Sequence, residues 1–292
     1  DAPRDAVQDR AMAAETPSAH GRPQPSRPHQ PRPDRSATPA VDIALPVHNE
    51  EQTLAASVER LHDHLSEHFP YSWQITIAEN GSTDGTRLIG QRLANDLREV
   101  RFVSMRPAGR GGALRRAWGE SASEVVAYMD VDLSTDLSAF TKLIAPLMSD
   151  EADVAIGSRL SAESHVSRSI RRDVLSRGYM AVLRAAFRPP FHDAQCGFKA
   201  LRADVARELL PLVEDDGWFF DTELLLISCR MGLRLHEVPV EWIEDTDSRV
   251  RIMRTVWHDL EGVARMHRRL RSGGALSTVP SPTNGHVTEH AA

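Results

Sequence analysis

The fold class follows from residues 41–68, which read VDIALPVHNEEQTLAASVERLHDHLSEH. The apolar run Val41–Leu45 is typical of a buried strand, and Glu50–His68 carries apolar residues at helical spacing. The same alternation continues to residue 156. It predicts strands at Trp73–Ala78, Val100–Ser104, Val125–Met129 and Asp153–Ile156, with helices at Thr83–Leu97 and Gly112–Ser121. This rhythm predicts an α/β fold with a mostly parallel sheet flanked by helices on both faces.

The folded part is predicted to be a single domain over residues 41–271. Residues 1–40 hold eight of the 18 prolines and no Phe, Trp, Tyr, Ile or Leu. Such a segment buries too little apolar surface to offset its ordering entropy, so we expect it to be disordered. Residues 272–292 are rich in Gly, Ser, Thr and Pro, and we expect the same of them.

Composition excludes several classes of protein. A formal net charge of -6 argues against a surface devoted to nucleic acid. No apolar run is long enough to span a bilayer, and no secretory signal opens the chain. The two cysteines, Cys196 and Cys229, cannot build a disulfide framework. We therefore expect a protein of the reducing cytoplasm.

Polar and glycine-rich loops follow four of the predicted strands. In parallel sheets, ligands bind beyond the carboxyl ends of the strands, so these loops form a candidate site. Each loop alone is equally compatible with ordinary turns and helix caps, but four at one sheet edge favour a site. The loops are residues 46–51, 79–85, 106–112 and 130–134.

Asp130 and Asp132 give the strongest chemical signal. They follow the apolar strand Val125–Met129, and two neighbouring carboxylates favour a hard cation such as Mg²⁺ or Mn²⁺. The loop Gly109–Gly112 precedes a predicted helix and contains Arg110, which suits a diphosphate. It is not a P-loop, because no Gly-Lys-Ser/Thr follows, and it stands after the wrong strand for a dinucleotide fingerprint.

Seven ordered motifs carry a family resemblance. They are Pro46–Glu51, Glu79–Thr86, Gly109–Arg115, Asp130–Ser134, Gly157–Arg159, Asp193–Lys199 and Trp218–Leu224. Together they resemble family 2 glycosyltransferases of the GT-A fold, over about residues 41–260. Within that family the chain is most similar to the enzymes that glycosylate dolichyl and other polyprenyl phosphates, and to the glucosyl members more than the mannosyl members.

The resemblance implies a set of roles for residues. Base and ribose would be held by Pro46, His48, Glu50, Glu79 and Ser82, with Arg110 beside the diphosphate. Asp130 would bind nucleotide and metal, and Asp132 would bind the metal, Mg²⁺ or Mn²⁺, and take part in catalysis. Asp221 is the second catalytic candidate, as a general base or as a residue that orients the substrates. Candidates for the acceptor phosphate are Arg159, Arg168, Arg172, Gln195 and Lys199.

Two arginine-rich segments bear on the acceptor. The predicted helices 173–187 and 251–270 carry apolar residues at helical spacing among arginines, a pattern typical of peripheral membrane helices. An ordinary solvated helix face explains either segment equally well. We expect transfer of glucose from UDP-glucose to a polyprenyl phosphate at the inner face of the cell membrane. UDP is favoured because His48 and Glu79 would narrow the base slot.

Four alternatives to this reaction stay open at this point. GDP-mannose is the second candidate donor. A soluble acceptor, a sugar or a phosphorylated metabolite, is a different enzyme activity on the same fold. A nucleotide-sugar-binding protein without activity is a non-enzymatic alternative. A sugar-nucleotide pyrophosphorylase is disfavoured, because residues 46–50 do not form a glycine-rich loop.

Overall fold

The computed structural model describes residues 38–106, 109–161, 163–167, 170–243 and 252–271. Except for residues 38–40, the two segments predicted to be disordered lie outside the described residues. No helix within the described ranges is both long and apolar enough to cross a bilayer.

The described residues contain nine strands and eight α-helices. The strands are β1 Val41–Val47, β2 Trp73–Asn80, β3 Val100–Met105, β4 Val125–Met129, β5 Val154–Ser158, β6 His165–Ser167, β7 Phe198–Arg202, β8 Leu235–Pro239 and β9 Glu241–Ile243. The helices are α1 Leu54–His68, α2 Thr86–Asp96, α3 Arg110–Gly119, α4 Phe140–Met148, α5 Ile170–Phe187, α6 Ala203–Leu209, α7 Phe220–Arg230 and α8 Ile252–Arg271. Single 3₁₀ turns lie at Leu137–Ala139 and Leu210–Leu212.

Seven strands form one sheet in the order β3-β2-β1-β4-β7-β5-β8. This confirms the predicted α/β fold with a mostly parallel sheet. β7 is the one antiparallel strand of this sheet, and it pairs with β4 on one side and β5 on the other. Because β7 is reversed, its beginning lies at the same sheet edge as the ends of its neighbours. The segment before β7 therefore joins the loops that follow β1, β2 and β4. A second small sheet pairs β6 with β9.

Two apolar layers enclose the sheet. On one side Ile43 and Leu45 pack with α1 and α4, and on the other Ala44 and Tyr128 pack with α3 and α7. Successive residues of a strand point to opposite faces, so burial on both faces requires a nearly continuous apolar run. This is the pattern seen in Val125–Met129, where every residue is buried.

The predicted element boundaries differ from the structure mainly around the site. β2 continues to Asn80, so Glu79 and Asn80 are strand residues rather than loop residues. α1 begins at Leu54, four residues after the predicted start at Glu50, and α3 begins at Arg110 instead of Gly112. Arg110 is thus the first residue of a helix, where backbone N–H groups lack intrahelical partners.

Candidate active site

The ends of β1 and β2 are joined by hydrogen bonds between their loops. His48 Nδ1 lies 2.7 Å from the Asn80 carbonyl oxygen, and the Glu50 backbone N–H donates to Thr86 Oγ1 at 2.7 Å. The Asn49 backbone N–H donates to Ser82 Oγ at 3.1 Å. The structure thus brings the predicted nucleotide residues of these two loops to one edge of the sheet, beside Pro46 at the end of β1.

Glu79 is completely buried below this edge. Its carboxylate accepts hydrogen bonds from the Ser82 backbone N–H at 2.5 Å, Ser104 Oγ at 2.5 Å and Arg87 Nη2 at 3.1 Å. Burial acts to raise the pKa of Glu79, but these hydrogen bonds outweigh it and lower the pKa, so the carboxylate is ionised at neutral pH. Glu79 therefore holds the loop that follows β2 in place. The N–H group of a nucleotide base would have to share a carboxylate that already accepts these three hydrogen bonds.

Asp130 and Asp132 lie at the end of β4. The Asp130 side chain is 46% exposed and Asp132 is exposed, with Asp132 Oδ1 accepting from the Ser134 backbone N–H at 3.0 Å. Gly197 lies against the Asp130 carboxylate so closely that a Cβ at this position would overlap it. Among the described residues no group of three or more metal-ligating side chains occurs. Two accessible carboxylates still fit Mg²⁺ or Mn²⁺, which complete their coordination with water and substrate phosphate oxygens.

Arg110 links the metal-site candidates to the interior. Its Nη2 lies 2.5 Å from Asp130 Oδ1 and its Nη1 lies 2.6 Å from Asp221 Oδ2. The guanidinium stands 5.1 Å from the ring centroids of both Tyr128 and Trp218. Burial acts to lower the pKa of Arg110, but the charges of Asp130 and Asp221 raise it, so the cation is permanent. One fixed positive charge thus lies between two of the predicted site carboxylates.

Asp221 is a poor general base in this arrangement. It is buried at the start of α7 and accepts hydrogen bonds from Arg110 and from the Tyr128 hydroxyl, with Lys199 Nζ 3.2 Å away. Burial acts to raise the pKa of Asp221, but Lys199 and Arg110 outweigh it and hold the pKa below its usual range. A carboxylate that binds a proton so weakly is suited to orientation and electrostatics.

Lys199 lies entirely inside the protein, on β7. Its ammonium donates to the Cys196 carbonyl oxygen at 2.5 Å and to the Tyr128 hydroxyl at 3.3 Å, and it pairs with Asp221. An acceptor phosphate cannot reach this ammonium from solvent in the described conformation. The geometry thus gives Lys199 the role of holding Asp221 and Tyr128. Sequence reasoning missed Tyr128, although a hydroxyl in the otherwise apolar run Val125–Met129 is a signal for it.

Arg159 and Asp193 form a buried ion pair on the other side of β7. Asp193 accepts from Arg159 Nε at 2.8 Å, Arg159 Nη2 at 3.0 Å and the Arg159 backbone N–H at 3.1 Å. Burial acts to raise the pKa of Asp193, but Arg159 outweighs it and lowers the pKa to about 2. Arg159 is thus committed to Asp193, which leaves it little freedom to move towards a phosphate.

Gln195 is half-buried two residues further on and donates from Nε2 to Asp259 Oδ2 at 2.7 Å. Asp193 is part of a motif identified in the sequence, but its pairing with Arg159 was not predicted, and Asp259 was not identified at all. Of the other predicted acceptor residues, Arg168 lies outside the described residues, and Arg172 lies on α5 with its side chain outside them.

Helices α5 and α8 expose large apolar side chains next to this region. On α8, Asp259 is buried while Trp257 and Leu260 are exposed, Trp257 by 67%. On α5, Val174, Leu175 and Val182 are exposed, Val174 by 63%. The two helices pack against each other, with Phe187 and His267 in an edge-to-face contact. Arginines are exposed on both helices as well, among them Arg184 on α5 and Arg268 on α8.

Comparison with known proteins gives one matching family model. Its description is Glycosyl transferase family 2, and it matches residues 42–210. Glycosyltransferase AglD of Haloferax volcanii is 35% identical over 234 residues, which are 79% of this chain and 38% of the archaeal protein. Dolichyl-phosphate beta-glucosyltransferase of Saccharomyces cerevisiae is 25% identical over 229 residues, covering 72% of this chain and 69% of the yeast protein. The chain thus spans well under half of the archaeal relative.

Solved structures share the fold at low sequence identity. Glucosyl-3-phosphoglycerate synthase of Mycobacterium tuberculosis in complex with UDP gives a TM-score of 0.58 at 21% identity, covering 86% of this chain and 88% of that one. The same enzyme in complex with Mn²⁺ and UDP-glucose gives a TM-score of 0.56 at 20% identity. At this identity the likeness establishes the fold of the chain.

Proposed function

The chain belongs to glycosyl transferase family 2, and we propose that it transfers glucose from UDP-glucose to the phosphate of a polyprenyl lipid at a membrane surface. We choose a lipid acceptor because helix α8 has one side with exposed apolar residues and another side that is buried. Its outer side exposes Trp257 and Leu260, while on its inner side the buried Asp259 binds Gln195, a candidate residue for the acceptor phosphate. An acceptor held in a membrane would meet the site beside such a helix. Relatives with 24–28% identity carry the name dolichyl-phosphate beta-glucosyltransferase, which agrees with this acceptor.

UDP is the proposed nucleotide because the base slot lies between tightly bonded loops. His48 is fixed on the Asn80 carbonyl oxygen, and the buried Glu79 fixes the loop below it. Widening this edge for a purine would disturb both contacts, and overpacking typically costs about 1–3 kcal/mol. GDP-mannose is accordingly the second candidate donor.

The proposed metal ligands are Asp130 and Asp132. A bound Mg²⁺ or Mn²⁺ would supply neutralisation of the charge that develops on the leaving diphosphate. The lack of a side chain at Gly197 lets the Asp130 carboxylate lie against it, and Arg110 holds that carboxylate in place. These two contacts prepare one edge of the sheet for a highly charged ligand.

Direct displacement is the proposed chemistry. An oxygen of the acceptor phosphate attacks the anomeric carbon, the new carbon–oxygen bond forms, and the bond to UDP breaks on the opposite side. A phosphate monoester has a second pKa of about 6 and is mostly a dianion at neutral pH, so it needs no general base. Asp221, ionised and held by Arg110 and Lys199, would orient the hexose or the acceptor.

The test is a transfer assay on the full chain with two donors and two acceptor types. Radiolabelled UDP-glucose or GDP-mannose is incubated with Mn²⁺ and either polyprenyl phosphate in vesicles or a water-soluble phosphate ester. We expect a glucosylated lipid product from UDP-glucose. A mannosylated lipid would show that GDP-mannose is the donor. A glucosylated soluble ester would show that the acceptor is a soluble molecule. No transfer to either acceptor would contradict the proposed function.

A further inference from the structure

Trp218 is an exposed aromatic residue on a firmly packed stretch of backbone. It is 44% exposed, whereas the two residues that follow it, Phe219 and Phe220, are buried. The Phe220 side chain lies against Gly111 of α3 and the Phe219 ring against Gly262 of α8, so closely that a Cβ on either glycine would overlap the ring. The two buried rings therefore fix the backbone that presents Trp218 to solvent.

Measured distances place the Trp218 ring beside the proposed metal edge. The Arg110 guanidinium lies 5.1 Å from the centroid of this ring, within the range of a cation–π contact. Nη2 of the same guanidinium lies 2.5 Å from Asp130 Oδ1. The Asp130 side chain is 46% exposed. One cation thus contacts both an accessible carboxylate and an accessible aromatic ring.

The same stretch of backbone also borders helix α8. Gly217 lies against the His258 ring, and a Cβ on Gly217 would stand 3.3 Å from His258 Cε1. His258 follows Trp257 in the chain, and Trp257 and Leu260 are 67% and 41% exposed. Trp218 therefore lies between the proposed metal edge and the turn of α8 that exposes apolar side chains.

The order of these groups matches an amphiphile with an anionic end. A single exposed apolar side chain needs no explanation by itself, but this one continues from a charged site to an apolar helix face. An indole ring offers a large apolar surface at a low cost in conformational entropy. A hexose is the other ligand that could meet the ring. Its edge is polar all round, and it ends the donor, so no part of it extends to α8.

We infer that Trp218 binds the isoprene units nearest the phosphate of the acceptor lipid. The inference rests on the proposed function, because the acceptor phosphate has to meet the hexose at the Asp130 edge while its chain leaves towards the membrane beside α8. Trp218 lies between these two places. It gives the acceptor chain a binding residue inside the protein, separate from the residues that contact the membrane.

Binding of water-soluble phosphate esters to the full chain tests the inference. Calorimetric titrations with Mn²⁺ and UDP present compare methyl phosphate with isoprenyl monophosphates of one, two and three isoprene units. For the parent protein we expect each of the first two units to tighten binding about fivefold to tenfold, because their contact with the ring removes apolar surface from water. UDP and UDP-glucose are titrated separately.

Three variants show which residue provides this gain in affinity. Trp218→Ala should remove most of the gain and leave the affinities for methyl phosphate and UDP within about twofold of the parent. Trp218→Leu, which keeps an apolar side chain, should retain most of the gain. Trp257→Ala is the matched control, since it removes an exposed Trp that we assign to the membrane surface, and it should leave the gain unchanged.

The chain-length series separates contact with the lipid from other roles of the ring. An unchanged gain in Trp218→Ala would overturn the inference. Equal weakening of UDP, methyl phosphate and every isoprenyl ester would also overturn it, since the ring would then only support Arg110. Weaker binding of UDP-glucose with an unchanged isoprenyl series would assign the ring to the hexose instead. A parent protein that gains nothing from isoprene units would contradict the lipid acceptor of the proposed function itself, which distinguishes the two failures.

Discussion

Replacing Asp193 by Asn tests how strongly its ion pair with Arg159 stabilises the folded protein. The substitution keeps the side-chain shape and removes the charge that pairs with Arg159. Because the pKa of Asp193 falls from 3.8 to about 2 in the folded protein, the charged form contributes about 2.5 kcal/mol to stability at neutral pH. Asn leaves Arg159 with an uncompensated, mostly buried charge, as protonation of Asp193 does, so we expect a loss of about that size.

The stability lost in Asp193→Asn should decrease as the pH is lowered. A carboxylate whose pKa is lowered by folding stabilises the protein above the unfolded value, here 3.8, and that stabilisation disappears as the pH falls through about 2. The gap in unfolding free energy between the parent and Asp193→Asn should therefore shrink from about 2.5 kcal/mol at pH 7 to about 1.3 kcal/mol at pH 3. Urea titrations at a series of pH values measure this gap.

Asp204→Asn is the matched control. Asp204 is exposed and also pairs with an arginine, Arg202, at 2.8 Å, and exposed pairs contribute little. It should change stability by less than about 0.5 kcal/mol at either pH. An Asp193→Asn variant within 0.5 kcal/mol of the parent at pH 7, or a gap that does not depend on pH, would refute the assignment of a stabilising buried pair.

Three further predictions concern the metal edge, the packing behind it and the membrane face. Asp132→Asn should reduce the proposed glucosyl transfer at least about a hundredfold, because it removes a proposed metal ligand. The melting temperature should move by no more than about 2 °C, because the side chain is exposed. Unchanged rates with or without EDTA would contradict this prediction. Gly197→Ala should destabilise the protein by about 1–3 kcal/mol in urea titrations because the new methyl group overlaps Asp130. Gly178→Ala, on α5 with open space around it, should instead be neutral or stabilise by up to about 1 kcal/mol. Trp257→Ala should weaken binding to anionic vesicles, measured by sedimentation, about tenfold, most clearly at low salt. Leu88→Ala, which removes an equally exposed apolar residue of α2, should leave this binding unchanged. Equal effects of the two substitutions would contradict a membrane-binding face on α8.

The first half of the fold follows from sequence because its parallel strands alternate with helices. β1 and β4 are buried along nearly their whole length and are largely apolar. β2 and β3 keep several apolar residues among polar ones. The second half carries weaker signals. β6 and β9 contain three residues each, too few for a periodic pattern, and the reversal of β7 depends on which strands flank it in space.

The same division holds for the site. The position of Asp130 and Asp132 at the end of β4 could be predicted because they follow a recognisable buried strand. Lys199 was predicted to face a phosphate and instead lies buried against Tyr128 and Asp221, because the side of a short strand that meets solvent depends on the helices packed over it. Asp259 could not be found, since its partner Gln195 is 64 positions away in the chain.

The reversed strand β7 also determines the order in which the protein can be assembled during synthesis. Val41 on β1 pairs with Trp73, a nearby position, whereas Val125 on β4 pairs with Arg202 and Val154 on β5 pairs with Leu235, each roughly eighty residues later in the chain. The loops after β1 and β2, which we propose bind the nucleotide, can therefore form while the ribosome is still adding the residues that will flank β7. Until β7 inserts, β4 and β5 expose unpaired edges, and Asp130 stands without Gly197 beside it. The proposed metal edge is thus complete only once β7 has been made, so a chain that stops before β7 lacks the contact between Gly197 and Asp130.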